Sequence, residues 1–270
     1  MKGKLTTALL VLIFLTGLSL LLYPTAANIW NSFHQSRVVS NYDRIAAAIP
    51  PRDYTEGMEA ARAYNQSLLY RPNRFLEDAE GDAAYQRLLR VAGSDVLGIL
   101  EIPGINVRLS IYHGTGDNVL QVGVGHIAGS SLPVGGIGTH AALSGHTGLP
   151  SAWLLTDMDQ LEYGDRFTLR VFGDTLVYEV DQILVVLPHE MDSLAIDPER
   201  DYVTLVTCTP YGINTHRLLV RGERVFPQEE INTLLVSEAA DFGRGKSIAL
   251  FGAPVFLLML ILYAVFRKRG

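Results

Sequence analysis

The chain has 270 residues, 48% hydrophobic and 19% charged, which suffices for one ordinary domain plus accessory segments. Its formal net charge is −6, but Lys2, Lys4, Arg267, Lys268 and Arg269 sit at the ends, so 17 basic residues face 28 acidic ones between them. That central excess of about −11 argues against a nucleic acid partner.

Leu5 to Tyr23 is almost wholly apolar and uncharged, after two lysines. At 1.5 Å per residue, about 19 residues nearly cross a bilayer core of roughly 30 Å. An uncleaved anchor fits that length better than a signal peptide, although Thr25-Ala26-Ala27 loosely resembles a cleavage site. Ile248 to Phe266 is again apolar, and Arg267-Lys268-Arg269 follows directly. Positive flanks stay inside, so two spans would leave both termini cytoplasmic and residues from about 28 to 245 outside.

Asn28 to Ile49 has mixed helical character and ends at Pro50-Pro51. Tyr54 to Leu69 reads as an amphipathic helix with Met58, Ala61 and Leu68 on one side. Arg71 to Phe75 breaks the pattern, the acidic Glu77 to Asp82 continues as loop, and Ala83 to Val91 suits a short helix. From Asp95 the pattern changes to short strands between turn signals: Val96 to Ile102, Val107 to Tyr112, Arg166 to Phe172, Thr175 to Val186, and two more around Tyr202 and Arg217. Strands at this spacing suggest a closed or nearly closed barrel, with Gly173-Asp174 as a hairpin signal. Val122 to Gly148, rich in glycine, is the least strand-like part and reads as turns that let a binding wall approach a ligand. It contains neither a P-loop nor a dinucleotide fingerprint.

The only cysteine, Cys208, cannot form an intramolecular disulfide. It closes a run rich in β-branched residues, just before Thr209-Pro210-Tyr211-Gly212, and Arg217 opens the next strand. A thiol at a strand end can meet substrate while a rigid element fixes its direction. A cysteine nucleophile also needs a group that handles its proton and one that stabilises an oxyanion. Histidine usually serves the first need and arginine can serve the second, but spacing alone does not choose among seven histidines. His146 in Ser144-Gly145-His146-Thr147-Gly148, His216 beside Arg217, and His113 in a turn all qualify. The plainer alternatives are a packed core cysteine, a histidine satisfied by backbone and a solvated arginine. Zinc on His126, His140, His146 and Cys208 lacks the spacing of known zinc motifs, so no metal is expected. A non-catalytic wall or adhesion module would make Cys208 incidental.

Three segments resemble sortases, specifically the pilin-polymerising class C sortases of Gram-positive bacteria. They are His126 to Gly136, Thr139 to His146, and Thr204 to Arg224, the last with Thr-Cys-Thr-Pro-Tyr-Gly from Thr207 to Gly212. Gly148 to Ser151 and Tyr178 to Ile183 also fit, and the likeness spans roughly Asn28 to Val225. The resemblance implies a mostly β fold: an eight-stranded sortase-type β-barrel with an N-terminal helical extension and two terminal transmembrane helices. Its segments would be an anchor over 1–27, a helical extension over 28–93, the barrel over 94–228, a linker over 229–246 and an anchor with a basic tail over 247–270.

It further implies that His146, Cys208 and Arg217 are catalytic, that Ser144, Thr207, Leu132 and Pro133 contact substrate, and that no cofactor is needed. Cys208 would attack the Thr–Gly carbonyl of a Leu-Pro-x-Thr-Gly sorting signal on a pilin or surface protein. An amine, from a pilin lysine or from peptidoglycan, would resolve the thioacyl enzyme. Many class C enzymes carry an Asp-Pro-aromatic lid over the site. The corresponding stretch, Leu69 to Asp78, has no Asp-Pro pair, and only Pro72 and Phe75 suggest a degenerate lid.

Overall fold

The computed structural model describes residues 2–71, 73–75, 83–91, 94–149 and 152–225. The apolar run near the C-terminus, expected to form a second span, lies outside the described residues, as does Pro72.

Helix α1, Lys2–Ala46, carries the first apolar run without a break into the segment that docks on the barrel, with Pro24 inside it. Its 18-residue apolar window is wholly unburied and long enough to cross a bilayer, by length and composition. Pro50-Pro51 then resets the chain, and helix α2, Pro51–Leu68, opens with proline at a position where its missing N–H costs nothing. Met58, Ala61 and Leu68 do form its buried face, joined by Asn65. The stretch expected to be helical at Ala83 to Val91 holds only a 3₁₀ turn, Tyr85–Arg87.

The remainder is a closed eight-stranded barrel of strands β1 (Val96–Ile102), β2 (Val107–His113), β3 (Val124–His126), β4 (Thr139–Ser144), β5 (Arg166–Val171), β6 (Asp174–Val186), β7 (Asp201–Thr209) and β8 (His216–Val225). Around the barrel the order is β1-β2-β3-β4-β7-β8-β6-β5, so no strand edge is left open. Two of these strands, β3 and β4, fall inside the glycine-rich stretch expected to be turns. β4 is buried on both faces and pairs in parallel with β7, so its Thr-His-Ala-Ala-Leu-Ser lacks the alternation that marks a half-exposed strand. The β5–β6 turn is Phe172-Gly173, both at positive φ, and Asp174 already belongs to β6.

Alternate residues fill the barrel: Leu143, Val203, Leu205, Leu218 and Val220 pack with Phe167 and Tyr178, whose rings stack at 5.6 Å. Gly222 on β8 admits those rings, since a Cβ there would meet Phe167 at 2.6 Å. α1 is pinned outside by Tyr42, whose hydroxyl donates to the Leu97 carbonyl at 2.8 Å and accepts from the Phe172 amide at 3.0 Å. Burial pushes that phenol up to about 12. Asp43 joins a cluster with Arg108, Arg170 and Glu101 at 2.8–3.3 Å. α2 is held by Asn65, whose amide donates to the Leu132 carbonyl (3.1 Å) while its oxygen accepts from the Leu132 N–H (2.7 Å).

Candidate active site

Parallel pairing of β4 with β7 sets Ser144 opposite Val206. The ladder runs one peptide beyond β4, because the Gly145 amide donates to the Val206 carbonyl at 3.0 Å. The Thr207 hydroxyl then donates to the Gly145 carbonyl at 2.8 Å. His146 follows at once, so it leaves the strand level with Cys208. On the other side of β7, the antiparallel β8 sets Arg217 directly across from Cys208. Thiol, imidazole and guanidinium thus occupy one end of three adjacent strands, β4, β7 and β8. The interior residues Val203 and Leu205 alternate with Thr204, Val206 and Cys208, which places the thiol on the barrel's outer face.

Cys208 is reduced and half-buried, and His146 is half-buried as well. Arg217 donates from Nη1 to the backbone carbonyls of His216 (3.1 Å) and Asn214 (3.3 Å). Among the described residues its hydrogen bonds go to backbone carbonyls, and no carboxylate is within ion-pair distance. The His146 carbonyl accepts from the Leu155 amide at 3.2 Å, which folds the β4–β5 loop back beneath the imidazole's own residue.

The segment between β6 and β7 covers the outer face below the thiol, and His140 fastens it. His140 lies six residues before His146, hence on the same face of β4, and is buried. Its Nδ1 is 2.8 Å from the Ala195 carbonyl and its Nε2 is 2.7 Å from the Thr204 hydroxyl. A carbonyl only accepts, so Nδ1 carries the proton and Nε2 accepts from Thr204. Burial pushes this imidazole down to about 4, which keeps it neutral. Between that segment and β6–β8 lies a groove of about 560 Å³ lined by Gln182, Leu184, Ala195, Ile196, Tyr202 and Arg221. Arg221 makes a two-pronged bond to Asp181 and lies 4.1 Å over the Tyr202 ring. It stands four residues along β8 from Arg217, about 13 Å away.

Of the residues expected to contact substrate, Ser144 ends β4 on the face of His146, half-buried. Thr207 points inward, and its hydroxyl is engaged with Gly145. Leu132 and Pro133 are buried, and the Leu132 backbone is clasped by Asn65 of α2. Phe75 lies under the Arg74 guanidinium at 4.7 Å, and Arg74 donates to the Leu194 carbonyl at 2.6 Å. Both rest on the turn at Gly129, whose φ of +87° and 2.2 Å approach of the Arg74 carbonyl to a notional Cβ exclude a side chain. This contact is at the level of His140, while residues 76–82 lie outside the described residues.

His126 also has a buried role. Its Nε2 donates to the Ser131 carbonyl (2.8 Å) and its Nδ1 accepts from the Tyr85 hydroxyl (2.7 Å), and burial pushes it down to about 4. Among the described residues no group of three or more histidines, cysteines or carboxylates is placed to hold a metal ion. His140, Asn65 and Tyr85 were missed as contributors from sequence. Even spacing between His140 and His146 on one strand was the available signal for the first.

A family model described as a sortase domain matches residues 100–225. The chain is 40% identical to the solved structure of sortase C1 of GBS Pilus Island 1, with a TM-score of 0.66, covering 72% of this chain and 94% of that one. It is 46% identical to sortase C-1 from Actinomyces oris, with a TM-score of 0.60, covering 66% of this chain and all (100%) of that one. A curated relative, sortase D of Bacillus subtilis (strain 168), is 31% identical over 131 residues, 47% of this chain; the chain spans only 63% of that relative's length. With the barrel, its strand order and these likenesses in hand, the chain belongs to the sortase family and, within it, to the class C sortases.

Proposed function

We propose that this chain is a membrane-anchored cysteine transpeptidase that joins pilin subunits. The observation that carries the reading is the alignment of His146, Cys208 and Arg217 across β4, β7 and β8. The Cys208 sulfur, its thiol proton taken up by His146, attacks the Thr carbonyl carbon of a Leu-Pro-x-Thr-Gly signal. Arg217 donates N–H bonds to the oxygen that gains charge. As the C–N bond breaks, His146 gives a proton to the departing glycine amine, leaving a thioester on Cys208. A lysine amine of the next subunit then attacks the thioester and loses a proton to His146. The C–S bond breaks, and an isopeptide bond remains. Transfer outruns hydrolysis where the groove positions the amine better than water.

Class C likeness favours a pilin lysine over a peptidoglycan amine as acceptor, since one similar enzyme is sortase C1 of GBS Pilus Island 1. The unburied apolar run of α1 supports the first anchor, and the apolar run before Arg267-Lys268-Arg269 supports a second, with both termini cytoplasmic. Arg74 and Phe75, within the Leu69 to Asp78 stretch that corresponds to the class C lid, dock on the Leu194 carbonyl and the turn at Gly129.

The reading is tested by incubating the chain with a sorting-signal peptide and a lysine-bearing pilin fragment. A product joined through an amide between Thr and lysine is expected, dependent on Cys208. Product formation by Cys208→Ala would refute the assignment.

A further inference from the structure

We propose that the catalytic end of the barrel rests on the lipid interface, with the exposed side chains of Trp153, Tyr211 and Ile213 seated among the headgroups. This rests on the membrane-anchor reading of α1 and adds where the active site stands relative to the bilayer.

The first observation is where α1 meets the barrel. From Val39 to Ala46 the helix is buried at intervals against the barrel, but its apolar window is unburied. Gln35 meets Ser110 at 3.3 Å, and nearer the N-terminus the Asn28 side-chain oxygen accepts from the Trp153 backbone amide at 2.9 Å. Asn28 is five residues past the end of the apolar run at Tyr23, about 7.5 Å along the helix. Interfacial zones are about 5–7 Å deep on each side of the hydrocarbon core. Trp153 is therefore held at the outer edge of that zone by a bond to the spanning helix itself.

The second observation is the chemistry of this end of the barrel. Trp153 is 57% exposed although its indole N–H already donates to Asp157 at 2.8 Å. Its one polar atom is satisfied, and the ring is free to enter an apolar layer. Tyr211 and Ile213, in the β7–β8 loop, are 68% and 67% exposed. Tyr211 lies against Gly148, in the same β4–β5 loop as Trp153. Trp30 on α1, two residues past Asn28, is exposed as well. Exposed apolar and aromatic groups thus stand on α1, on the loop bonded to it through Asn28, and on the loop packed against that one at Gly148. Isolated exposed apolar residues are ordinary, but such groups on segments tied to a spanning helix near headgroup height are the pattern of an interfacial belt.

The consequence for the site is direct. The β4–β5 loop starts at His146 and bonds back to it through Leu155, and the β7–β8 loop joins Cys208 to Arg217. Both loops that frame the thiol would then touch the membrane. A substrate would be met at the bilayer surface, not in open solution.

The test uses the full chain in vesicles of phosphatidylcholine and phosphatidylglycerol. The chain has two tryptophans, so Trp30→Phe leaves Trp153 as the sole emitter. Lipids with a nitroxide on the headgroup should quench about half of its emission, and high salt should not relieve the quenching because the contact is apolar. A companion chain with Trp30→Phe, Trp153→Phe and Leu15→Trp reports insertion of α1 through a nitroxide deep in the acyl chain. Quenching of both supports the proposal. Quenching of the Leu15→Trp emitter but not of Trp153 overturns it and leaves the anchor intact. Absence of both removes the anchor, and the proposal falls with it.

Discussion

The Thr207 hydroxyl donates to the Gly145 carbonyl at 2.8 Å, and this one bond ties the strand bearing the thiol to the peptide that precedes the imidazole. Thr207→Val keeps the shape but leaves that carbonyl buried without its partner, a cost of about 1–3 kcal/mol. The expected result is a kcat about 10–100-fold lower with a nearly unchanged KM, because small misplacement of reacting groups penalises the chemical step. Thr207→Ser should recover most of it. Equal rates for all three proteins would show that the bond does not position His146.

Arg217 meets Cys208 across the β7–β8 pair, and its Nη1 donates to the backbone carbonyls of His216 and Asn214. Arg217→Ala should lower kcat/KM about 10²–10³-fold, the loss typical of removing an oxyanion donor. Arg217→Lys should recover only a small part, because a point charge lacks the guanidinium fork. Full recovery with lysine would mean that charge alone suffices.

His140 ties Ala195 to Thr204 and so fixes the wall of the groove. His140→Ala should raise KM for a sorting-signal peptide about tenfold with kcat within about twofold, the pattern of lost uniform binding. Amide exchange over 192–197 should quicken as the segment loosens. His140→Gln, which can donate and accept, should restore both readouts in part. A fall confined to kcat would assign His140 to the chemistry.

His126 and His140 are both buried neutral and held near 4, against an ordinary value of about 6.5. Their charged forms are disfavoured in the fold, so the unfolded chain binds more protons between those values. Stability should be full above about pH 6.5 and decline as pH falls toward 4, by on the order of 3 kcal/mol for each group. Urea unfolding at a series of pH values measures this, and a flat profile from pH 7 to 4.5 would contradict it.

What the sequence disclosed follows the physics of each element. β1 and β7 are dense in Val, Leu, Ile and Thr and end in proline and glycine signals, so their bounds and the place of Cys208 were legible. α2 showed its inner face through Met58, Ala61 and Leu68 at helical spacing. β3 and β4 were hidden because glycines surround them and because β4 is covered on both faces, which erases alternation. That concealment mattered, since β4 is what delivers His146. Choosing His146 among seven histidines came from family likeness, whereas strand pairing supplies the physical reason: it alone follows a strand that runs beside Cys208 in register. The bond pair between Asn65 and the Leu132 backbone, 67 residues apart, is a tertiary contact that no local pattern displays.

The most direct test of the transpeptidase account is intact-protein mass spectrometry of the chain after brief exposure to a sorting-signal peptide without an amine acceptor. The account predicts an added mass equal to the Leu-Pro-x-Thr fragment. Proteolysis should locate it on the segment containing Cys208, and hydroxylamine should release it as expected of a thioester. Cleavage of the peptide with no adduct at Cys208, and at the same rate in Cys208→Ala, would contradict the account.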